Sequence, residues 1–411
     1  MSKIIKRTVL VLLLYIFFYT PAFTVFRGIP SIVFLYPLVF VGLFTGKGLR
    51  LILPYFRKEC RVLLFLLVYV FFRTMAGGES SFFIQQLLAT MNVFVVPLSI
   101  ILLFDGFKVS QQQFIRYLLV VGVVGALISC LCLFMPSLNN FVRFSLLAEE
   151  RNAYLQTHMY RGFGIANSLT SASGYPSALA IITCFGLFYR DTNKWFLLFI
   201  PFMVIAILVN ARTAFIVLVL GVVLLLFVER SGRLKVLVSL GIVFLFAVFL
   251  INKVEVSDYT IDWIRSFFEE FNFYFKTQSL DGTTAGAIVE EHVFFPEKLS
   301  EWIFGTGDNI FLRTEERSDV GFIRQLFYGG IIFLLLEAFL IWIICKKSCG
   351  IVFPGFVALL LLSLAIFHFK GIFIPTSAGF RVFVLVYYYM YYHSLSRGYE
   401  ACNGRMKKIV Y

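Results

Sequence analysis

An all-α fold that crosses a membrane about twelve times is predicted by three observations on this sequence. Of its 411 residues, 60% are hydrophobic and 14% are charged, whereas soluble domains carry roughly 25% charged residues. The apolar residues come in runs of about 17 to 25, each long enough to cross a hydrocarbon core of about 30 Å. The Lys and Arg residues lie at the ends of these runs, so the net charge of +13 indicates membrane orientation rather than nucleic-acid binding.

The first predicted span follows a short basic tail and continues to about Phe26. No small-residue cleavage site follows it, so we interpret it as an uncleaved span rather than a signal peptide. The chain is expected to form a single integral membrane domain over residues 1–411, with both ends on one side. Further spans are predicted near 30–46, 62–77, 82–104, 115–135, 174–189, 195–210, 212–228, 234–251, 319–345, 350–369 and 379–396.

The Lys and Arg residues also predict the orientation of the chain. Of the 36, 21 fall on the side that holds the N-terminus, which the positive-inside rule makes the cytoplasmic side. The opposite side then holds two long polar segments, 136–174 and 251–318, the second between helices 9 and 10. Neither is large enough for a substantial separate domain. Residues 261–271 alternate aromatic and charged residues in a way that predicts a helix lying at the membrane surface.

The positions of the cysteines and the spacing of possible metal ligands predict neither a cofactor nor a metal site. None of the seven cysteines falls in the two long polar segments, and no metal-ligand spacing appears. Cys345 and Cys349 lie four residues apart beside two lysines, which we interpret as a helix end rather than a zinc site.

Charged residues at the outer ends of the predicted spans are the first candidates for a binding site. A charge at bilayer depth costs about 2.5 kcal/mol or more unless it is paired or hydrated. All but one of these residues are cationic or can become so, which suits an anionic ligand such as a lipid-linked pyrophosphate, because an Arg fork can meet two phosphate oxygens. They are Arg73, Arg212, Arg324, His368, Lys370, Arg381 and Asp319.

Structural alternatives stay open for these residues. Arg73 and Lys370 could extend to lipid headgroups, and Glu337, deep in a span, could simply bond a neighbouring helix. Arg212 lies in a short turn between two spans, where it has little room to move. The acidic partners open to Arg324 are Asp319, Glu315 and Glu316.

The outer histidines and the first long segment offer further candidates. His158, His292 and His368 could each act as a general base or phosphate ligand, or be an ordinary surface histidine. Around His158, the stretch from Arg151 to Gly164 is basic, aromatic and glycine-bearing, and it includes Arg161. Aromatic and Arg residues together are typical of a sugar-binding cleft.

A family resemblance rests on one turn in the middle of the chain, around Arg212, and on three stretches late in the chain: Phe304-Gly305-Thr-Gly307, Ser318-Asp319-Val-Gly321-Phe-Ile-Arg324 and Gly329-Gly330. The whole architecture and these stretches are similar to the O-antigen polymerases, inner-membrane members of a polymerase/ligase superfamily of glycan-assembly proteins. The turn around Arg212 resembles an Arg-Thr turn shared with the O-antigen ligases.

The resemblance favours the polymerase branch over the ligase branch. Ligases carry a His at the start of the span after the large loop, whereas this chain has Asp319 there, and His292 lies 27 residues upstream. The implied activity is a glycosyltransferase that joins undecaprenyl-pyrophosphate-linked oligosaccharides at the periplasmic face of a bacterial inner membrane. Implied partners are these lipid-linked substrates, membrane lipid and a chain-length regulator protein.

Roles follow from this expected chemistry. Asp319 is the first choice for the base that takes the acceptor proton, and His292 is the second. Arg212 is expected to neutralise the leaving pyrophosphate, with Arg161, Arg324 and Arg381 as helpers. The alternatives are an O-antigen ligase and a lipid-linked oligosaccharide flippase, although a transporter usually places its site near the bilayer midplane. A capsule or exopolysaccharide polymerase is not distinguishable from an O-antigen polymerase.

Overall fold

The computed structural model is all-helical over the residues that it describes, and no β-strand occurs among them. The predicted all-α fold class is therefore confirmed for this part of the chain. The described residues are 3–26, 29, 31–37, 53–146, 164–165, 175–181, 194–210, 212–228, 241, 258–312, 317–346, 356–371 and 379–393.

The main helices are numbered here in chain order. Residues 175–181 are also helical, as are short 3-10 turns such as Ile310–Leu312. The numbered helices are α1 (Lys3–Tyr19), α2 (Arg57–Met75), α3 (Ser80–Gly106), α4 (Gln111–Phe134), α5 (Pro136–Leu146), α6 (Ile200–Asn210), α7 (Arg212–Val228), α8 (Asp258–Thr277), α9 (Thr284–His292), α10 (Leu299–Phe304), α11 (Gly321–Lys346), α12 (Phe356–Lys370) and α13 (379–393).

Three of the described helices, α3, α4 and α11, are long and apolar enough to cross a membrane. They coincide with the predicted spans at 82–104, 115–135 and 319–345. Shorter apolar helices occupy Ile200–Asn210 and Thr213–Leu224. Most of the predicted spans at 30–46 and 234–251 lies outside the described residues, and the total of twelve spans stays a prediction.

One apolar core joins helices from both halves of the chain, and α13 lies in the middle of it. Residues 379–390 are all buried, although this stretch ends in a row of tyrosines. The ring of Tyr389 stacks on Phe114 of α4, with centroids 3.9 Å apart, and its hydroxyl donates to the carbonyl of Val109. The ring of Tyr389 thus fills the core while its hydroxyl finds a backbone acceptor.

Helix α11 is broken in its first half at Gly330. This glycine has φ 68° and ψ −169°, a conformation that residues with a Cβ rarely adopt. A Cβ at this position would also collide with the carbonyl of Ile303. The hydroxyl of Tyr69 donates to the carbonyl of Gly329 at 2.6 Å and so satisfies an acceptor at the break.

Contacts made at the ends of the helices define two ends of the bundle. Lys6 at the start of α1 donates to the carbonyl of Phe107 in the α3–α4 turn, and Tyr392 at the end of α13 donates to Asp105 at 3.1 Å. The end of α2 instead meets the segment between α10 and α11. We call that second region the loop end, comprising residues 73–79, 305–312 and 317–324.

Helix α8 confirms the helix predicted at 261–271 and extends it on both sides. Several of its aromatic side chains are exposed, among them Tyr259, Phe271 and Phe275. Phe267 is buried and packs edge-on against Phe215 of α7, with centroids 5.5 Å apart. The helix is thus fixed to the bundle along one side, and its lying at a membrane surface stays a prediction.

Candidate functional site

The candidate site is built around the loop 305–309, which lies against the last turn of α2. Gly305 and Gly307 both have positive φ, 74° and 86°. A Cβ on Gly307 would lie 2.7 Å from the Cα of Gly78 and 2.9 Å from Nη2 of Arg73. Only glycine permits this close approach. Nη2 of Arg73 donates to the carbonyl of Gly305 at 3.0 Å, so this arginine holds the loop instead of extending outward.

Glu79 fastens the other side of the same loop. Its backbone N–H donates to the carbonyl of Gly307 at 2.9 Å, and its carboxylate accepts from the N–H of Asn309 at 2.9 Å. The second carboxylate oxygen accepts from the hydroxyl of Ser81. This carboxylate is therefore already used in positioning the loop.

Arg324, in the first turn of α11, reaches back to the fastened loop. Its Nη2 donates to Oδ1 of Asn309 over a long 3.4 Å, and its guanidinium carbon lies 4.4 Å from the ring centroid of Phe311. Its Nε is buried and has no hydrogen-bond partner among the described residues. Among the described residues a ring and an amide hold Arg324, and Asp319 attracts it electrostatically. Glu315 and Glu316, the other acidic partners that the sequence left open, lie outside the described residues.

Arg317 approaches the same ring from the chain segment before α11. Its guanidinium carbon lies 4.3 Å from the ring centroid of Phe311. A guanidinium nitrogen lies 3.7 Å from Oδ1 of Asp319, and both side chains are about half exposed. At that distance the contact is an ion pair but not a hydrogen bond, so the donors of Arg317 remain available to a ligand.

Asp319 precedes α11 by two residues and does not cap it. The hydroxyl of Ser318 accepts from the N–H of Val320 at 3.2 Å instead. Oδ1 of Asp319 is buried and forms no hydrogen bond among the described residues. The carboxylate of Asp319 is therefore not used to cap the helix.

His292 closes the site from the end of α9. Its Nδ1 lies 2.8 Å from the carbonyl oxygen of Arg317. A carbonyl only accepts, so Nδ1 carries the proton in the neutral ring and Nε2 keeps a lone pair. The hydroxyl of Ser318 donates to the carbonyl of His292 at 2.5 Å. Two hydrogen bonds thus connect His292 to the residues directly before Asp319.

A second polar group lies one residue along α11, inside the bundle. Nε2 of Gln325 donates to Oε1 of Glu337 at 2.9 Å, and the oxygen of the same amide lies 2.8 Å from Nε2 of His368 on α12. All three side chains are buried. This bridge joins the two parts of α11 across the break and ties them to α12.

The predicted site residues therefore separate into groups. Arg324, Asp319 and His292 lie together at the loop end, connected through Arg317, and Arg73 holds the same loop at Gly305. His368 is buried in the amide bridge, and its carbonyl lies against Gly321, so it neighbours this site without facing it.

The other predicted residues lie elsewhere. Arg381 is buried in α13, with its guanidinium 5.8 Å from the ring centroid of Phe17. Arg212 is the first residue of α7 and Lys370 the last of α12, but their side chains are outside the description. Arg161 lies wholly outside the described residues.

Several residues of the site were not found by sequence reasoning. In the sequence, a charged residue at the end of a predicted span indicates a candidate site residue. Residues whose role is to position other side chains do not carry this signal. Arg317 lies in the polar stretch before α11 and carried the same charge signal as Arg324. The remaining residues gave no local signal: Glu79, Asn309, Phe311 and Gln325.

The arrangement can bind an anion and can accept a proton. Three guanidiniums lie around one loop, each with donors that no described residue uses, and a carboxylate and an imidazole nitrogen lie beside them. Among the described residues, no three His, Cys, Asp or Glu side chains are grouped so as to hold a metal ion.

Comparison with known proteins identifies no relative. No family model matches the chain, no curated protein matches it, and no solved structure matches its fold.

Proposed function

We propose that this protein is a membrane glycosyltransferase that joins undecaprenyl-pyrophosphate-linked oligosaccharides into a surface polysaccharide. One observation carries the proposal: the loop end groups Arg73, Arg317 and Arg324 with Asp319 and His292. Cationic donors beside a carboxylate and an imidazole are what transfer of a sugar from a lipid pyrophosphate needs.

The reaction has two requirements that these residues can meet. The acceptor hydroxyl oxygen forms a bond to the anomeric carbon of the donor sugar as the bond from that carbon to the pyrophosphate oxygen breaks. Negative charge grows on the leaving pyrophosphate, and fixed donors such as Arg324 stabilise it. The hydroxyl proton passes to a base.

Asp319 remains the first choice for that base. Its carboxylate is half exposed and its Oδ1 has no hydrogen bond among the described residues, so the group is not occupied in capping α11. His292 is the second choice, because Nδ1 donates to the carbonyl of Arg317 and the lone pair on Nε2 can then accept a proton.

The proposal includes an orientation in a bacterial inner membrane. About twelve spans, cytoplasmic termini and periplasmic segments at 136–174 and 251–318 would put the loop end on the periplasmic face. Two contacts support this orientation, because each joins segments that are assigned to the cytoplasm: Lys6 with Phe107, and Tyr392 with Asp105. Labelling of Arg233→Cys in a cysteine-free protein tests the orientation, and labelling from the periplasm would contradict it.

Among membrane glycosyltransferases, the resemblance to the O-antigen polymerases favours a polymerase. Asp319 stands where the ligases carry a histidine, which favours polymerisation over ligation. The grouping of charges at one end of the bundle favours an enzyme over a flippase, whose site is usually near the bilayer midplane. A chain-length regulator is a proposed partner, and capsule or exopolysaccharide polymerisation is equally compatible.

Deletion of the gene followed by gel display of surface polysaccharide tests the proposed activity. Single repeat units attached to lipid A are expected for a polymerase of O-antigen. Lipid A without any repeat unit would indicate a ligase instead. Loss of all product, with lipid-linked units held on the cytoplasmic side, would indicate a flippase. A normal long-chain pattern would contradict all three functions.

A further inference from the structure

Phe311 holds two guanidiniums on one aromatic ring. Arg317 and Arg324 lie at nearly equal distances from its centroid, 4.3 and 4.4 Å. Their guanidinium carbons can therefore be no farther apart than those two distances together. The ring stands in the 3-10 turn Ile310–Leu312, directly after the fastened loop. Its place is set by the contacts of that loop with Arg73 and Glu79.

This arrangement places two like charges close together, which costs Coulomb energy. The face of an aromatic ring attracts each cation, and Asp319 attracts Arg317 from 3.7 Å. Neither interaction uses up the hydrogen-bond donors of the two forks. Arg324 spends one donor on a long bond to Asn309, and no hydrogen bond from the guanidinium of Arg317 is found among the described residues.

We propose that Phe311 positions Arg317 and Arg324 as a two-guanidinium site for a diphosphate, one arginine for each phosphate group. The inference rests on the proposed function and deepens it: the site would distinguish a lipid pyrophosphate from a lipid monophosphate. Two separated forks can each bind one phosphate of a diphosphate, whereas a monophosphate engages one of them fully. Arg317 becomes a binding residue, and Phe311 a positioning residue.

The preference for two phosphates over one is the quantity that tests this inference. Binding of undecaprenyl pyrophosphate and of undecaprenyl phosphate is measured on the purified full-length protein in lipid nanodiscs. Inorganic pyrophosphate is the third probe, and it shows whether the phosphates suffice without the lipid. The wild type is expected to bind the lipid pyrophosphate more tightly than the monophosphate.

Phe311→Leu removes the ring but keeps an apolar side chain, and it should lower that preference roughly tenfold or more, as for loss of a charged hydrogen bond. Phe311→Trp keeps an aromatic face for the cations and should restore most of the preference. Rescue by Trp would not follow if the ring only filled space. An unchanged preference in Phe311→Leu would overturn the inference.

Arg317→Gln provides a second variant that does not depend on the ring. Arg317 is about half exposed, so its replacement should leave folding intact, and the preference should fall by a similar factor. If the wild type prefers the lipid pyrophosphate and Arg317→Gln is unchanged, the two-guanidinium site is wrong while the proposed function stands. If the wild type shows no preference for the lipid pyrophosphate, both the site and its assigned substrate are wrong.

Discussion

Arg324 and Gln325 are neighbours in the chain, but their side chains have opposite surroundings. Arg324 turns to the loop end, where it contacts a ring and forms one long hydrogen bond, and where its Nε has no partner in the part of the chain that the structure describes. Gln325 turns into the bundle, where both ends of its amide are bonded, to Glu337 and to His368.

This contrast separates a group that can bind a ligand from one that maintains the fold. A buried polar network is stabilising when its members are satisfied, and it leaves no donor for a ligand. A buried donor without a partner among the described residues, such as Nε of Arg324, is costly for folding alone, and a ligand that supplies the missing acceptor would account for it. The expected effects of mutation should therefore differ in kind: function at position 324, stability at position 325.

Arg324→Ala should have the largest effect on activity. Removing one preorganised donor to a developing negative charge costs about 10²- to 10³-fold in rate, so long-chain polysaccharide should be lost. Arg324→Lys should restore activity poorly, because a point charge lacks the fork. The measurement is the chain-length distribution in cells at matched protein levels.

Arg265→Ala is the matched control for this prediction. Arg265 lies on α8 and pairs with Asp262, and both side chains are more than 60% exposed. Exposed pairs of this kind contribute about 0–1 kcal/mol, so the control should behave as wild type. A normal chain-length distribution in Arg324→Ala would remove Arg324 from the site.

Asp319→Asn should lower polymerisation by about 100-fold, the scale of a general-base contribution. The amide keeps the shape of the carboxylate but cannot accept the proton. Folding should be unaffected, since Ser318 supplies the hydrogen bond at the start of α11. Asp262→Asn, on the exposed face of α8, is the control. An active Asp319→Asn protein would make His292→Ala the next test and would leave the polymerase proposal intact.

Gln325→Leu should act on stability instead. It removes the bridge between Glu337 and His368, and a lost hydrogen bond among membrane helices costs about 1 to 2 kcal/mol. The thermal unfolding midpoint of the purified protein should fall, while the affinity of the folded fraction for the lipid pyrophosphate stays the same. An unchanged midpoint together with lost affinity would assign Gln325 to the binding site and erase the contrast with Arg324.

Gly307→Ala should have the smallest effect that can still be resolved, because it disturbs only the docking of the loop. Its Cβ would meet Gly78 and Arg73, and the variant should be less stable than its control by about 1 kcal/mol. The control is Gly282→Ala, since Gly282 has a similar φ of 75° and nothing within 4 Å of the added Cβ. Equal midpoints for the two variants would mean that the loop does not depend on this close approach.

The sequence alone determined the helical class and the long apolar helices. Both depend on residues close together in the chain: the run of apolar side chains decides whether a segment can cross a membrane, and Ser110 with Gln113 forms a capping box at the start of α4. The same local charge signal found Arg73, Arg324 and Asp319, because a charge at the end of an apolar run stands out without any knowledge of its neighbours.

Only the tertiary structure decided what those side chains touch. The bond from Arg324 to Asn309 spans 15 positions in the chain, that from His368 to Gln325 spans 43, and that from Tyr69 to Gly329 spans 260. Such contacts depend on the break in α11 and on the packing of helices distant in the chain. Hydrophobicity is a property of each segment by itself, but a side chain's partner is a property of the whole arrangement.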